Sequence, residues 1–183
     1  YINGYNIFFI VLITFLTSAL LTPLVKKIAF HVGAVDKPDH KRKIHDHIMP
    51  SMGGLAIFFA FLIGYMLFAP KTTQMLSVLI GGFVVVITGM LDDINPLPAK
   101  VKFLMQITAA CITVFYGNIT FADMTIFGIT FKFGIFAYPL AVLFMVSIMN
   151  AINLCDGLDG LATGTSTIYF ATICIIGYIM NRL

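Results

Sequence analysis

The stretch TTQMLSVLIGGFVVVITGML, residues 72–91, runs for 20 residues without a charge, and Asp92 and Asp93 follow it directly. As a helix rising 1.5 Å per residue it would reach about 30 Å, the thickness of a bilayer's hydrocarbon core. Working outward from it, a cut at every charged residue of the 183-residue chain leaves five more such stretches, residues 1–25, 48–70, 103–122, 133–155 and 160–181. Each meets the roughly 20-residue requirement for a membrane span. Composition agrees, because 60% of the residues are hydrophobic and 10% are charged, where a soluble domain carries roughly 25% charge. A single soluble domain is therefore excluded. The fold class predicted is an all-α polytopic membrane protein with six transmembrane helices in one transmembrane domain, residues 1–183. In lipid the apolar content reflects the solvent, so function has to be sought in the few polar residues.

Six spans leave five connections, and alternate connections emerge on the same side. The odd ones, residues 26–47, 92–102 and 156–159, hold eight of the eleven cations: Lys26, Lys27, Lys37, Lys41, Arg42, Lys43, Lys100 and Lys102. Lys71, Lys132 and Arg182 lie on the other side. Lys and Arg gather in short cytoplasmic loops, which places the odd loops in the cytoplasm and the amino terminus outside. The net charge of +3 then needs no nucleic acid to explain it. All eight acids are Asp, and seven of them, with all four His, fall on the same predicted cytoplasmic side. Chain reversal alone would not need such a bias. The outer connection after the fourth span, residues 118–134, alternates Ile, Phe and Thr around Gly128 and reads as a short external β-hairpin between spans four and five.

Three loops carry the candidate chemistry. Asp92 and Asp93 stand at the carboxyl end of a predicted helix, where the macrodipole opposes negative charge by about 0.3 to 1 kcal/mol per group. An external cation would relieve them, and Mg²⁺, which takes one or two carboxylates plus substrate phosphates, suits the oxygen donors. The alternative is a solvated pair that ends the helix. In the third loop Asn150 and Asn153, like Asp156 and Asp159, are three apart and share a face if the backbone is helical. Asp159 could simply cap the sixth helix, whereas Asp156, the asparagines and the neighbouring glycines suit a phosphate site at a helix amino terminus. The first loop, 33–54, mixes both charge signs, and its Lys and Arg would also serve as a lipid-attracting or orienting cluster. His45 and His47 lack a third soft ligand for zinc. Cys111, Cys155 and Cys174 are too scattered for a disulfide framework or a zinc pattern and read as core thiols.

Taken together, Asp36-x-Pro38, Arg42-Lys43-x-His45 and Pro50-x-x-Gly53-Gly54, then Gly89-x-x-Asp92-Asp93 with Lys100-x-Lys102-Phe103 and Gln106, then Asn150-Ala151-x-Asn153-x-x-Asp156-Gly157-Leu158-Asp159-Gly160-Leu161-Ala162 resemble the polyprenyl-phosphate N-acetylhexosamine-1-phosphate transferases of glycosyltransferase family 4. The resemblance covers nearly the whole chain and looks closest to the N-acetylglucosamine branch, although Ser51-Met52 stands where that branch often has a basic residue before the Gly-Gly pair. It implies a multispanning enzyme of the bacterial inner (plasma) membrane with a cytoplasmic active face. It also implies transfer of a sugar-1-phosphate from a UDP-sugar to undecaprenyl phosphate, with release of UMP. The product would begin teichoic acid or another envelope polysaccharide. By resemblance Asp92 and Asp93 are catalytic, Asp92, Asp93 and Asp156 organise Mg²⁺ with Mn²⁺ as an alternative, and Arg42, Lys43, His45, Lys100, Asn150, Asn153, Asp156 and Asp159 bind substrates. A homodimer is compatible with it. The family continues through further spans, so the chain reads as the amino-terminal part of a longer integral membrane enzyme. Competing readings are the phospho-MurNAc-pentapeptide transferase of the sister branch, a noncatalytic membrane scaffold, and a transporter. A transporter's ionisable groups should lie inside the spans.

Overall fold

The computed structural model describes residues 6–36, 48–121, 123–126, 128–156 and 160–180. Its helices are α1 (Ile7–Val32), α2 (Gly53–Phe68), α3 (Thr73–Ile94), α4 (Ala99–Cys111), α5 (Ala137–Cys155) and α6 (Leu161–Ile179). A π-helical turn, Ile112–Tyr116, extends α4, and a 3₁₀ turn, Gly134–Phe136, leads into α5. Two short antiparallel ribbons complete the described chain. Strand β1 (Val35–Asp36) pairs with β2 (Met49–Pro50), and β3 (Asp123–Ile126) pairs with β4 (Ile129–Lys132). Gly128, at φ 81°, turns between the last two, a backbone region that glycine enters without steric cost.

Local chemistry sets the helix limits. Asn6 caps α1 by accepting the Phe8 N–H at 3.0 Å, and Gly33, at φ 76°, closes it. Thr72 caps α3 through the Met75 N–H at 3.2 Å. Among the described residues, five helical stretches are long and apolar enough to cross a membrane: Ile7–Val32, Thr73–Ile94, Ala99–Tyr116, Gly134–Cys155 and Leu161–Ile179. The chain is a membrane protein. The expected second span is where the structure differs, because α2 has only 16 residues, or about 24 Å of helix. Met49 and Pro50 are drawn into β2, the Ser51 N–H bonds the Ala34 carbonyl at 3.0 Å, and the helix stops short of Pro70.

Small residues determine which helices meet. With hydrocarbon on every side, helix association depends on close backbone approach, and α3 meets α4 and its π-helical extension along Ser77, Gly81, Ala109, Ala110 and Thr113, all buried. A Cβ at Gly81 would lie 2.5 Å from the Thr113 hydroxyl and 3.0 Å from the Ala109 carbonyl, and one at Gly117 would collide with Ser77. The seam hydroxyls are satisfied internally, Ser77 by Gln74 O at 2.6 Å and Thr113 by Ala109 O at 3.0 Å. Helices α1 and α2 close similarly, with Gly64 against Thr14. Where the α1–α2 pair meets α3, Val25, Ala29, Ala34, Met52 and Ala56 form a buried cluster, with Met90 and Ile94 packed on it. That cluster lies next to Asp93.

Candidate active site

Successive residues of an α-helix point about 100° apart, so the adjacent carboxylates on α3 face different neighbours. The Asp92 face of α3 also carries Val85, Thr88 and Gly89. With Lys102 and Gln106 of α4 and Met149, Ile152 and Asn153 of α5 it encloses a cavity of about 400 Å³. Asp92 uses both oxygens internally. Oδ1 accepts the Leu97 N–H at 2.8 Å and Oδ2 accepts Lys102 Nζ at 2.8 Å. The sequence Asn95-Pro96-Leu97-Pro98 explains the first bond: the prolines keep this segment out of the helix and leave the Leu97 amide available to a side chain.

Asp93 looks the other way. With Val86 and Met90 of α3 and Met52, Gly54 and Leu55 around the start of α2, it lines a second cavity of about 220 Å³. Its Oδ2 accepts the Met52 N–H at 2.8 Å. Met52 is buried and left-handed, at φ 72°, a conformation that costs a residue with a Cβ roughly 1–2 kcal/mol. The positive pole at the start of α2, the packed Met52 side chain and the carboxylate bond offset that cost. Each acid therefore has an internal donor. The local charge nevertheless remains negative, because three carboxylates, Asp92, Asp93 and Asp156, stand at this end beside Lys102.

Asn150 and Asn153 lie on the last turns of α5, as their spacing suggested. The half-buried Asn150 amide donates to Gln106 Oε1 at 2.8 Å and to Val146 O at 2.9 Å, tying α5 to α4, and Asn153 lines the larger cavity. Asp156, exposed, ends α5. Helix α6 starts after Gly160, at φ 79°, without a side-chain cap among the described residues. Lys100 is exposed in the first turn of α4, and Lys102 is the cation that reaches Asp92. Arg42, Lys43, His45, His47 and Asp159 lie outside the described residues.

The structure thus brings Met52, Asp92, Asp93, Lys102, Asn153 and Asp156 to one end of the bundle. Among the described residues no three His, Cys or Asp side chains gather as a ready metal cage. The Met52 amide, the Leu97 amide, Lys102 and Gln106 were not singled out for these contacts. Lys102 and Gln106 belong to the motif quoted above, and their spacing of four residues, one helical turn, puts them on the same face. The backbone donors left no side-chain signal.

Fold and site define a class: a multispanning membrane protein with carboxylates, a lysine and amides assembled where a helix bundle meets water. Comparison with known proteins narrows it. Residues 75–183 match the family described as glycosyl transferase family 4, and the chain belongs to that family. It is 46% identical over 167 residues to a Bacillus subtilis protein named a probable undecaprenyl-phosphate N-acetylglucosaminyl 1-phosphate transferase, covering 90% of this chain and 46% of that protein. It is 34% identical over 177 residues to a decaprenyl-phosphate N-acetylglucosaminephosphotransferase of Mycobacterium tuberculosis, covering 87% and 43%. It is also 31% identical over 169 residues to an undecaprenyl-phosphate alpha-N-acetylglucosaminyl 1-phosphate transferase of Escherichia coli K12, covering 88% and 44%. The chain spans less than half the length of these relatives. No solved structure matches it.

Proposed function

We propose that this chain supplies part of the active site of an enzyme that transfers N-acetylglucosamine-1-phosphate from UDP-N-acetylglucosamine to a polyprenyl phosphate, as a first membrane step in making an envelope polysaccharide. The observation that carries the reading is that the described parts of the second and third polar loops, with the Met52 amide from the first, meet at one bundle end around Asp92, Asp93, Lys102, Asn153 and Asp156. The names of the relatives favour this sugar and a polyprenyl phosphate acceptor. The eight-to-three division of cations supports a cytoplasmic position for that end, where nucleotide sugars are made.

In this reading an oxygen of the lipid phosphate attacks the β-phosphorus of the UDP-sugar. A new P–O bond forms there, the bond between the β-phosphorus and the bridging oxygen breaks, and that oxygen leaves on the α-phosphorus as part of UMP. With a second pKa near 6 the lipid phosphate is already mostly dianionic at neutral pH, so no protein base is required. The obstacle is charge: a dianion must approach a diphosphate beside three carboxylates. Phosphoryl transfer is catalysed chiefly by positioning and electrostatic stabilisation. The donor set fits Mg²⁺ or Mn²⁺, which need only one or two carboxylates when phosphates and water complete the shell. Asp93 and Asp156 are the groups to hold it, and bound there it would neutralise the phosphates. Lys100 and Lys102 add positive charge, and Asn153 offers amide contacts to the donor.

The test is to supply membranes containing the full-length protein with UDP-N-acetylglucosamine and undecaprenyl phosphate and to identify the nucleotide released. UMP, in step with a lipid-linked sugar diphosphate and abolished by chelator, is expected. Release of UDP would mean that the sugar moves without its phosphate, and no release at all would favour a scaffold. Either result overturns the proposal.

A further inference from the structure

We infer that the two adjacent aspartates do different work: Asp92 is a positioning residue, pinned by Lys102, and Asp93 is the carboxylate presented to the reacting phosphates and their cation. This inference rests on the function proposed above. Sequence treats the pair alike, but their surroundings are unlike. Both oxygens of Asp92 are taken, by the Leu97 amide and by Lys102 Nζ, each at 2.8 Å. Those bonds join the end of α3, the proline-flanked turn and the first turns of α4 into one closed unit. A metal at Oδ2 of Asp92 would compete with an ammonium already in place, and proton abstraction by either oxygen would compete with a donor already bound to it.

Asp93 gives one oxygen to the Met52 amide at 2.8 Å, and among the described residues Oδ1 has no donor. Asp93 is also the acid on which the charges of Asp92 and Asp156 both act. Its second oxygen is thus left to an outside partner, and a cation bound there would answer the negative charge of Asp92, Asp93 and Asp156. Lys102 sets the geometry by fixing Asp92. Asp92 fixes the last turn of α3, and that turn aims Asp93. Lys102 thus acts through Asp92, and Lys100, exposed two residues earlier, stays free for substrate.

The experiment compares Asp92→Asn, Lys102→Met, the Asp92→Asn/Lys102→Met double variant, Lys102→Arg and Asp93→Asn in the full-length protein. It measures kcat, KM for the lipid phosphate and the Mg²⁺ concentration for half-maximal UMP release. Asp92→Asn and Lys102→Met should each lower kcat by about 10- to 100-fold, the scale of a misplaced reacting group. KM and the Mg²⁺ midpoint should stay unchanged, the double variant should be no worse than either single one, and Lys102→Arg should recover most of the rate. Asp93→Asn should lose about 100- to 1,000-fold and raise the Mg²⁺ midpoint. The inference is overturned if Asp92→Asn also moves the Mg²⁺ midpoint, if Lys102→Met is harmless while Asp92→Asn is severe, or if the double variant multiplies the two losses. Each of those outcomes needs a wild type that releases UMP, so failure here is distinguishable from failure of the proposed function. Thermal unfolding of each variant in detergent checks folding and gives a readout independent of turnover. Mg²⁺ with UDP-N-acetylglucosamine should raise the unfolding temperature of the wild type and of Asp92→Asn alike and that of Asp93→Asn much less, and the reverse pattern would also overturn the inference.

Discussion

Helices α3 and α6 are both apolar enough to cross a membrane, and both contain glycine, yet they sit in the molecule in opposite ways. Helix α3 buries Ser77, Leu79, Gly81 and Thr88, whereas α6 buries no residue. A Cβ at Gly81 would strike Thr113 and Ala109, while one at Gly164 would meet nothing within 4 Å. Hydropathy therefore tells which segments enter lipid, and backbone proximity at small residues tells which segments pack together there. At the polar end the same contrast holds among the described residues: the α3–α4 unit is internally bonded and α5 is tied to α4, whereas α6 stays open.

The largest effect expected from breaking this contrast is at the seam. Gly81→Leu should destabilise the 183-residue chain by about 1–3 kcal/mol, the cost of overpacking a close contact, read as a lower unfolding temperature in detergent micelles. An unchanged temperature would mean that α3 and α4 are not in close contact. A smaller effect is expected at the α4–α5 tie. Gln106→Leu removes one acceptor of the Asn150 amide and should cost about 1 kcal/mol, with Asn150→Leu adding little on top because the partner is already lost. Fully additive losses would show that the two amides do not bond each other. The smallest effect is at the matched glycine on the open helix: Gly164→Leu should change stability by less than about 0.5 kcal/mol, as surface substitutions do. A loss comparable to that of Gly81→Leu would place α6 in a packed seam.

Much of this was legible in the residues. Uncharged runs marked the helices, and the spacing of Asn150, Asn153 and Asp156 put polar groups at the end of α5. The shortened α2 was hidden because residues 48–52 are apolar enough to count as span while Met49 and Pro50 serve a strand and Met52 turns left-handed. At the site, Asp92 and Asp93 stood out, but their separation did not. It depends on a 100° step around α3 and on backbone amides of Met52 and Leu97 that any residue type could supply. Lys102 and Lys100 are equivalent by composition, and the start of α4 at Ala99 decides which one reaches Asp92.

The central claim is that the carboxylate end of the bundle faces the compartment that holds nucleotide sugars. Helix α3, 22 residues long, separates Lys71 from Asp92 by about 33 Å, so the two ends can be labelled independently. With Cys111, Cys155 and Cys174 replaced by Ser, single cysteines Lys71→Cys and Ala99→Cys are exposed in intact cells to a membrane-impermeant thiol reagent. The account predicts labelling at position 71 and none at position 99 until the cells are permeabilised. Labelling at 99 with protection at 71 would place Asp92, Asp93 and Asp156 outside and contradict it.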